Sequence, residues 1–231
     1  MRLFTRRGVV RLVERYGRAG AVSQSTAGSA AVALTFDDGP HPLWTPKILD
    51  ALDRASAKAT FFVVGKCVAR NPDLVVETRR RGHEIGTHLY SHERRVVFDD
   101  GRFNDEVKRS KALLEALLGE PIHWLRFPYG ERGRQHPRRI RGDYGLQTAH
   151  WTYSSHDGML RNPADIVARI EAGLRPGVIL LMHDALADES TLPGRYVAAR
   201  DATLAALTEV GALLALRGLS AVTMSELLRR D

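Results

Sequence analysis

The chain has 231 residues, 44% apolar and 26% charged, values ordinary for a soluble globular protein and sufficient for one substantial domain or two small ones. The formal net charge of +7 admits nucleic acid, an anionic membrane or an anionic substrate as partner, but the arginines are scattered along the chain and no nucleic-acid recognition motif is present. Cys67 is the one cysteine, which excludes an intrachain disulfide and a cysteine-rich metal site, and no apolar run is long enough to cross a bilayer.

In chain order, Met1 to Gly20 carries arginines but lacks the continuous apolar core of a secretory signal. Leu3, Phe4, Val9, Val10, Leu12, Val13 and Tyr16 fall on one helical face, ringed by Arg2, Arg6, Arg7, Arg11 and Arg15. This reads as a basic helix docked on the main domain, or as one lying on a membrane surface. Ala19 to Ser29 is small and polar and reads as a linker, so residues 1–29 are expected to be helix and linker and 30–231 the folded domain. The expected location is the cytoplasm, with peripheral membrane association as the variant.

Beyond the linker, strand-like runs fall at 31–36, 59–64, 83–87, 122–127, 146–153, 177–182 and 219–223. Helical stretches lie between them: Trp44 to Ala55, a helix opened by Asn71-Pro72, Phe103 to Leu118, a helix from Asn162-Pro163 to near Gly173, and Tyr196 to Leu216. Cys67, just after the second strand, reads as a structural thiol. This alternation predicts parallel strands with crossover helices, an α/β fold closer to a distorted barrel than to a doubly wound sheet. Either architecture collects functional residues at the C-terminal ends of the strands.

Chemistry-bearing residues sit at four such ends. The first run stops at "LTFDDGPHP", with two adjacent carboxylates, Asp37 and Asp38, before a Gly-Pro turn. Two like charges at one spot are costly unless a positive group lies between them or one is protonated. The third run leads into "HLYSH", with His88 and His92 four residues apart, on one side of a helical turn. One aspartate and two neutral imidazoles make a three-ligand set that leaves positions open for water and substrate, the pattern of a catalytic metal site. The set suits zinc; cobalt, nickel and iron fit as well. "RFPYG" (126–130) and "LLMHD" (180–184) end two further strands.

Together these residues resemble the polysaccharide deacetylases of the NodB-homology type, carbohydrate esterase family 4. "TFDDGP" matches the family's first motif, "HLYSH" resembles the second, "RFPYG" matches the third and "LMH" (181–183) resembles the fifth, in order from Thr35 to His183. The resemblance implies a distorted (β/α)7 barrel, the NodB homology domain, that hydrolyses the N-acetyl group of an amino sugar and releases acetate. It implies Asp37 as general base, with Asp38, His88 and His92 as metal ligands and Arg126 orienting Asp37. The Tyr129 backbone N–H is implied as an oxyanion donor, Leu181 as lining for the acetyl methyl group, and His183 as general acid. Trp151 is a further candidate substrate contact. The fourth motif departs from the family pattern. In "SSHDG" (154–158) Ser154 stands where the first Asp is usual and Gly158 where a groove-lining Trp is usual, while Asp157 is retained and can tune His183.

Two other functions share parts of this signature: cyclic-amide hydrolysis on a similar barrel, and carbohydrate binding without catalysis. Retention of both Asp37 and His183 argues against them. The arginine-rich stretch "ERGRQHPRR" (131–139) follows the third motif and is expected near the mouth of the site. It reads first as a solvated loop of surface charges, and alternatively as one whose Arg132, Arg134 and Arg138 grip an anionic, carrier-linked sugar.

Overall fold

In the computed structural model the described residues are 21–25, 30–186 and 200–229. The basic helix expected over 1–20 lies outside them, as do 26–29 and the start of the helix expected from Tyr196. Eight strands form: β1 (Ala31–Asp37), β2 (Ala59–Val63), β3 (Glu84–Thr87), β4 (Trp124–Arg126), β5 (Gln147–Ala149), β6 (Tyr153–Ser154), β7 (Ile179–His183) and β8 (Ser220–Ala221). All pair in parallel, in the order β5-β4-β3-β2-β1-β7-β6, with β8 joined to the start of β1. The helices are α1 (Trp44–Arg54), α2 (Gly65–Arg70), α3 (Pro72–Arg80), α4 (Asp100–Leu118), α5 (Pro137–Tyr144), α6 (Pro163–Gly173), α7 (Asp201–Leu216) and α8 (Met224–Arg229). This is the curled parallel sheet of a (β/α)7 barrel, left open between β5 and β6.

The local sequence explains most boundaries. The Asp99 carboxylate accepts the Arg102 N–H to start α4, and Gly119, at φ 68°, ends it in a left-handed turn. Pro163 opens α6, with Asn162 accepting from Ala164 N–H. Side chains on β1 alternate: Val32, Leu34 and Phe36 pack under the helices, while Ala31 and Ala33 face the inner cluster with Phe62, Trp124, Trp151, Ile179 and Leu181. That alternation puts Thr35 and then Asp37 on the inner face at the mouth. Small residues at 31 and 33 leave room for the two tryptophans, and Met224 and Leu227 of α8 fill the opposite end. There the Glu84 carboxylate accepts from Thr60 Oγ1, Trp124 Nε1 and the Ser225 hydroxyl, fastening α8 to the barrel.

Three expectations are corrected. Of the stretch read as linker, residues 21–25 form a strap: Val22 pairs with β5, its N–H reaching Thr148 O at 2.9 Å, and Ser25 N–H reaches Gly177 O at 2.9 Å, so they bridge the open edge. The run 146–153 is two strands. After Ala149 the backbone bonds locally, Trp151 N–H to His150 Nδ1 at 2.9 Å, before Thr152 N–H rejoins the sheet at Ile179 O. The arginine-rich 131–139 is only partly loop. His136 accepts the Arg138 N–H and Pro137 takes the first helical position, which starts α5.

Phe36 is fully buried and stacks on Phe61, ring centroids 5.0 Å apart, between the sheet and the helices. Phe36→Ala is expected to cost about 3–5 kcal/mol, measured as a lower denaturant midpoint at unchanged slope.

Candidate active site

β1 delivers Asp37 to the C-terminal mouth, where it stands in register with His183 on β7. Asp37 Oδ1 accepts from Arg126 Nη1 at 2.8 Å. Arg126, fully buried on β4, also donates Nη1 to Thr35 Oγ1 at 2.7 Å and Nη2 to the His150 carbonyl at 3.0 Å, and its guanidinium lies 4.0 Å from the Phe62 ring centroid. Burial pushes the Arg126 pKa down, against the pull of Asp37, yet a guanidinium stays charged in any protein. The result is a carboxylate whose one oxygen is fixed by a buried, packed cation, while Oδ2 faces His88 Nε2 at 3.7 Å.

Asp38 turns away from Asp37 by adopting φ 82°, a conformation an aspartate tolerates better than most residues. Its Oδ1 lies 3.6 Å from His88 Nε2 and 3.2 Å from His92 Nε2. His88 Nδ1 sits 2.8 Å from the Arg126 carbonyl, which can only accept, so Nδ1 carries the proton and Nε2 presents its lone pair. Burial drives His88 down to about 4, against the pull of Asp37, so it is neutral near pH 7. Burial alone would raise the Asp38 carboxyl; His92 beside it, with His183 and His88, holds it below its ordinary value. Three buried ligand atoms thus converge, all within 4.8 Å of one another. Tetrahedral bonds of ~2.0–2.1 Å set ligand atoms roughly 3.3–3.4 Å apart, close to the spacings here. Asp38, His88 and His92 therefore fit a divalent cation. The two histidines do not lie on a helical turn, as their spacing predicts. They sit on an irregular loop, and convergence comes from left-handed backbone at Leu89 (φ 64°) and His92 (φ 64°).

His183 is held from the other side. Its Nδ1 lies 2.8 Å from Asp157 Oδ1, and its backbone N–H donates to Asp157 Oδ2 at 2.9 Å. Asp157 also accepts from Ser155 Oγ at 2.8 Å and Thr203 Oγ1 at 3.0 Å, and the buried Arg200 lies 3.7 Å away. Burial alone would raise Asp157; His183, Arg200 and Ser155 bring it down to about 2. Burial alone would lower His183, but Asp157, with Asp38 and Asp37, raises it to about 9. With Nδ1–H committed to Asp157, Nε2 is the nitrogen left for a substrate.

These groups line one cleft with Tyr129, Gly130, Trp151, Ser154, His156, Gly158, Met159 and Leu181. Tyr129 (φ 59°) and His156 (φ 57°) join Asp38, Leu89 and His92 in left-handed backbone, so unfavourable conformations cluster where chemistry is expected. Gly130 is required: a Cβ there would lie 2.6 Å from the Trp151 ring. Gly158 is not, since a Cβ would meet His183 at an ordinary 3.8 Å and nothing nearer among the described residues. The candidates Asp37, Asp38, His88, His92, Tyr129, Trp151, Leu181 and His183 all reach the cleft, with Arg126 and Asp157 directly behind them. His156, with Nε2 2.9 Å from Arg169 Nη2, was not legible as a wall residue, because its place depends on the left-handed turn. Nor was Arg200, which lies far along the chain.

The arginine-rich stretch does not serve the cleft. Arg132 is buried and spends Nη1 on the Gln135 carbonyl at 3.0 Å. Arg134 is exposed, and Arg138 borders a separate surface hollow with Arg141, Gln147 and Thr148. The arginine that lines the cleft is Arg200, and Arg94 lies 4.7 Å over the ring of the lining Tyr129, paired with Glu131. Cys67 is half-buried on α2, its thiol pushed up to about 11 chiefly by burial, in keeping with an unreactive role.

A family model described as polysaccharide deacetylase matches residues 24–149. A peptidoglycan-N-acetylglucosamine deacetylase of Bacillus cereus is 34% identical over 200 residues, covering 86% of this chain and 88% of the relative. A chitooligosaccharide deacetylase of a Bradyrhizobium species is 33% identical over 193 residues, covering 83% and 88%. Among solved structures, a peptidoglycan N-acetylglucosamine deacetylase in complex with an N-hydroxybenzamide superposes with TM-score 0.79 at 26% identity, covering 92% of this chain and 94% of that one. A family 4 carbohydrate esterase from Streptomyces lividans in complex with acetate has TM-score 0.69 at 29% identity, covering 85% and 93%.

Purified protein is expected to hold about one divalent ion per chain, and His88→Ala and His92→Ala to lose it, by elemental analysis of dialysed samples. Asp157→Asn removes the charge that keeps His183 protonated. The alkaline limb of its rate profile is therefore expected at lower pH than the parent's, with little change at acidic pH.

Proposed function

Since the chain belongs to the polysaccharide deacetylase family, we propose that this cleft removes the N-acetyl group from a glucosamine-type residue of a polymer or oligosaccharide, releasing acetate and a free amine. The observation that carries the proposal is the opposed pair around the ligand cluster: a carboxylate pinned by buried Arg126 and an imidazole pinned by buried Asp157, on adjacent strands. The named relatives act on peptidoglycan and chitooligosaccharide, and one neighbour binds acetate, the product expected here.

A divalent ion held by Asp38, His88 and His92, with zinc the best match to two imidazoles and one carboxylate, supplies Lewis acidity and lowers the pKa of water. Asp37, fixed through Oδ1 by Arg126, takes a proton through Oδ2 from the water that attacks the amide carbon. The Tyr129 backbone N–H is the candidate donor to the developing oxyanion. His183, protonated well above neutral pH through Asp157, gives its Nε2 proton to the leaving nitrogen as the C–N bond breaks. Leu181 and Trp151 form the apolar wall for the acetyl methyl group. The roles need no covalent enzyme intermediate. Because Arg132 faces inward, no observation favours an anionic, carrier-linked sugar over a polymer.

The test is release of acetate and free amine from chitooligosaccharide, peptidoglycan and a nucleotide-linked N-acetyl sugar. Equimolar products from a polymeric substrate, abolished by chelator and restored by zinc or cobalt, are expected. Chelator-insensitive turnover, or turnover confined to the nucleotide-linked sugar, would overturn the proposal.

A further inference from the structure

Asp184 follows the candidate acid on β7, yet it does not line the cleft and belongs to neither the base nor the ligand set. It is 1% exposed. Its backbone N–H donates to the Asp37 carbonyl at 3.2 Å. Its side chain reaches back over the turn beyond Asp38, with Oδ1 accepting the Gly39 N–H at 3.1 Å and Oδ2 accepting from Thr45 Oγ1 on α1. Thr45 Oγ1 in turn accepts the His41 N–H at 2.8 Å, and the Gly39 carbonyl accepts the Val64 N–H at 2.9 Å. The fit is mutual: a Cβ on Gly39 would lie 2.2 Å from Asp184 Oδ2.

A third carboxylate beside Asp37 and Asp38 is an expensive way to fill space. Leucine has similar bulk without the charge, so the carboxylate is explained by the two donors it satisfies. One donor, the Gly39 N–H, belongs to the turn that fixes the direction in which Asp38 leaves β1; the other, Thr45, holds the start of α1 and the His41 N–H against the same carboxylate. We propose that Asp184 is a positioning residue that clamps the Gly39 turn to β7, holding the ligand Asp38 and the base Asp37 at a set offset from the acid His183. This rests on the roles given above for those three residues. Asp184 touches neither substrate nor ligand cluster, and acts through the backbone on either side of Asp38, the Asp37 carbonyl and the Gly39 N–H.

Three variants test it: Asp184→Asn, which can keep the acceptor for Gly39, Asp184→Leu, which keeps neither, and Thr45→Val, which removes the second donor together with the acceptor for the His41 N–H. The readouts are Co2+ affinity by absorption titration without substrate, exchange of the Gly39 amide in metal-free protein, and kcat against KM on chitooligosaccharide. Asp184→Leu is expected to weaken Co2+ binding about tenfold or more, speed Gly39 exchange and lower kcat ~10²-fold with KM nearly unchanged. Asp184→Asn is expected to restore most of all three. If the parent binds Co2+ but releases no acetate, and affinity and exchange still follow this order, the clamp stands and the deacetylase reading fails. Parent-like Co2+ affinity, Gly39 exchange and kcat in folded Asp184→Leu overturn the clamp. Should that variant not fold, the same parent-like values in Thr45→Val overturn it.

Discussion

Two carboxylates side by side at the end of β1 are the constraint around which the rest of the site is built. Asp37 and Asp38 are both buried, so neither can rely on water to carry its charge. The fold answers by sending them apart. Alternation along β1 points Asp37 inward onto Arg126, and the left-handed backbone at Asp38 swings the second carboxylate to His88 and His92. Arg126 balances one charge, and three convergent ligand atoms suit a divalent cation that would balance the second. Each supporting feature serves that separation: the Phe62 face under the guanidinium, the Arg126 carbonyl that sets the His88 tautomer, and the glycine that lets the next turn pass close to β7.

The opposite wall repeats the logic with the charges reversed. His183 is an imidazole made basic by a carboxylate that is itself saturated with donors, so Asp157 cannot easily take the proton it stabilises. Asp37 and His183 stand side by side on hydrogen-bonded strands, and under the proposed roles one accepts a proton and the other donates one. A pair of titratable groups pushed apart in pKa by their surroundings is what acid–base chemistry near neutral pH needs. The fourth-motif departures leave this pair intact. Ser154 and Gly158 line the cleft beside it, together with Met159 and with His156, which is braced by Arg169.

Much of this was legible in the chain because each chemical group ends an apolar run. "TFDDGP", "RFPYG" and "LLMHD" place Asp37, Arg126 and His183 without tertiary information, and the alternation of runs and helical stretches indicates the parallel barrel. What was illegible depends on backbone sign or long-range contact. The helical spacing of His88 and His92 suggests a turn of helix, whereas two left-handed residues bring them together. Residues 21–25 are too small and polar to read as strand, and they pair because the barrel is left open between β5 and β6. Arg132 reads as a surface charge and is buried because Gln135 offers it a carbonyl three residues away.

In the proposed chemistry Asp37 is a base held by Arg126 and is not itself a metal ligand. Single-turnover kinetics of Asp37→Asn on chitooligosaccharide, with bound metal counted in the same samples, tests this most directly. A full complement of ion and a fall in rate of ~10²–10⁴-fold are expected, because asparagine keeps the shape but cannot take the proton. Near-parental turnover with the ion in place would contradict it, as would loss of the ion on this substitution alone.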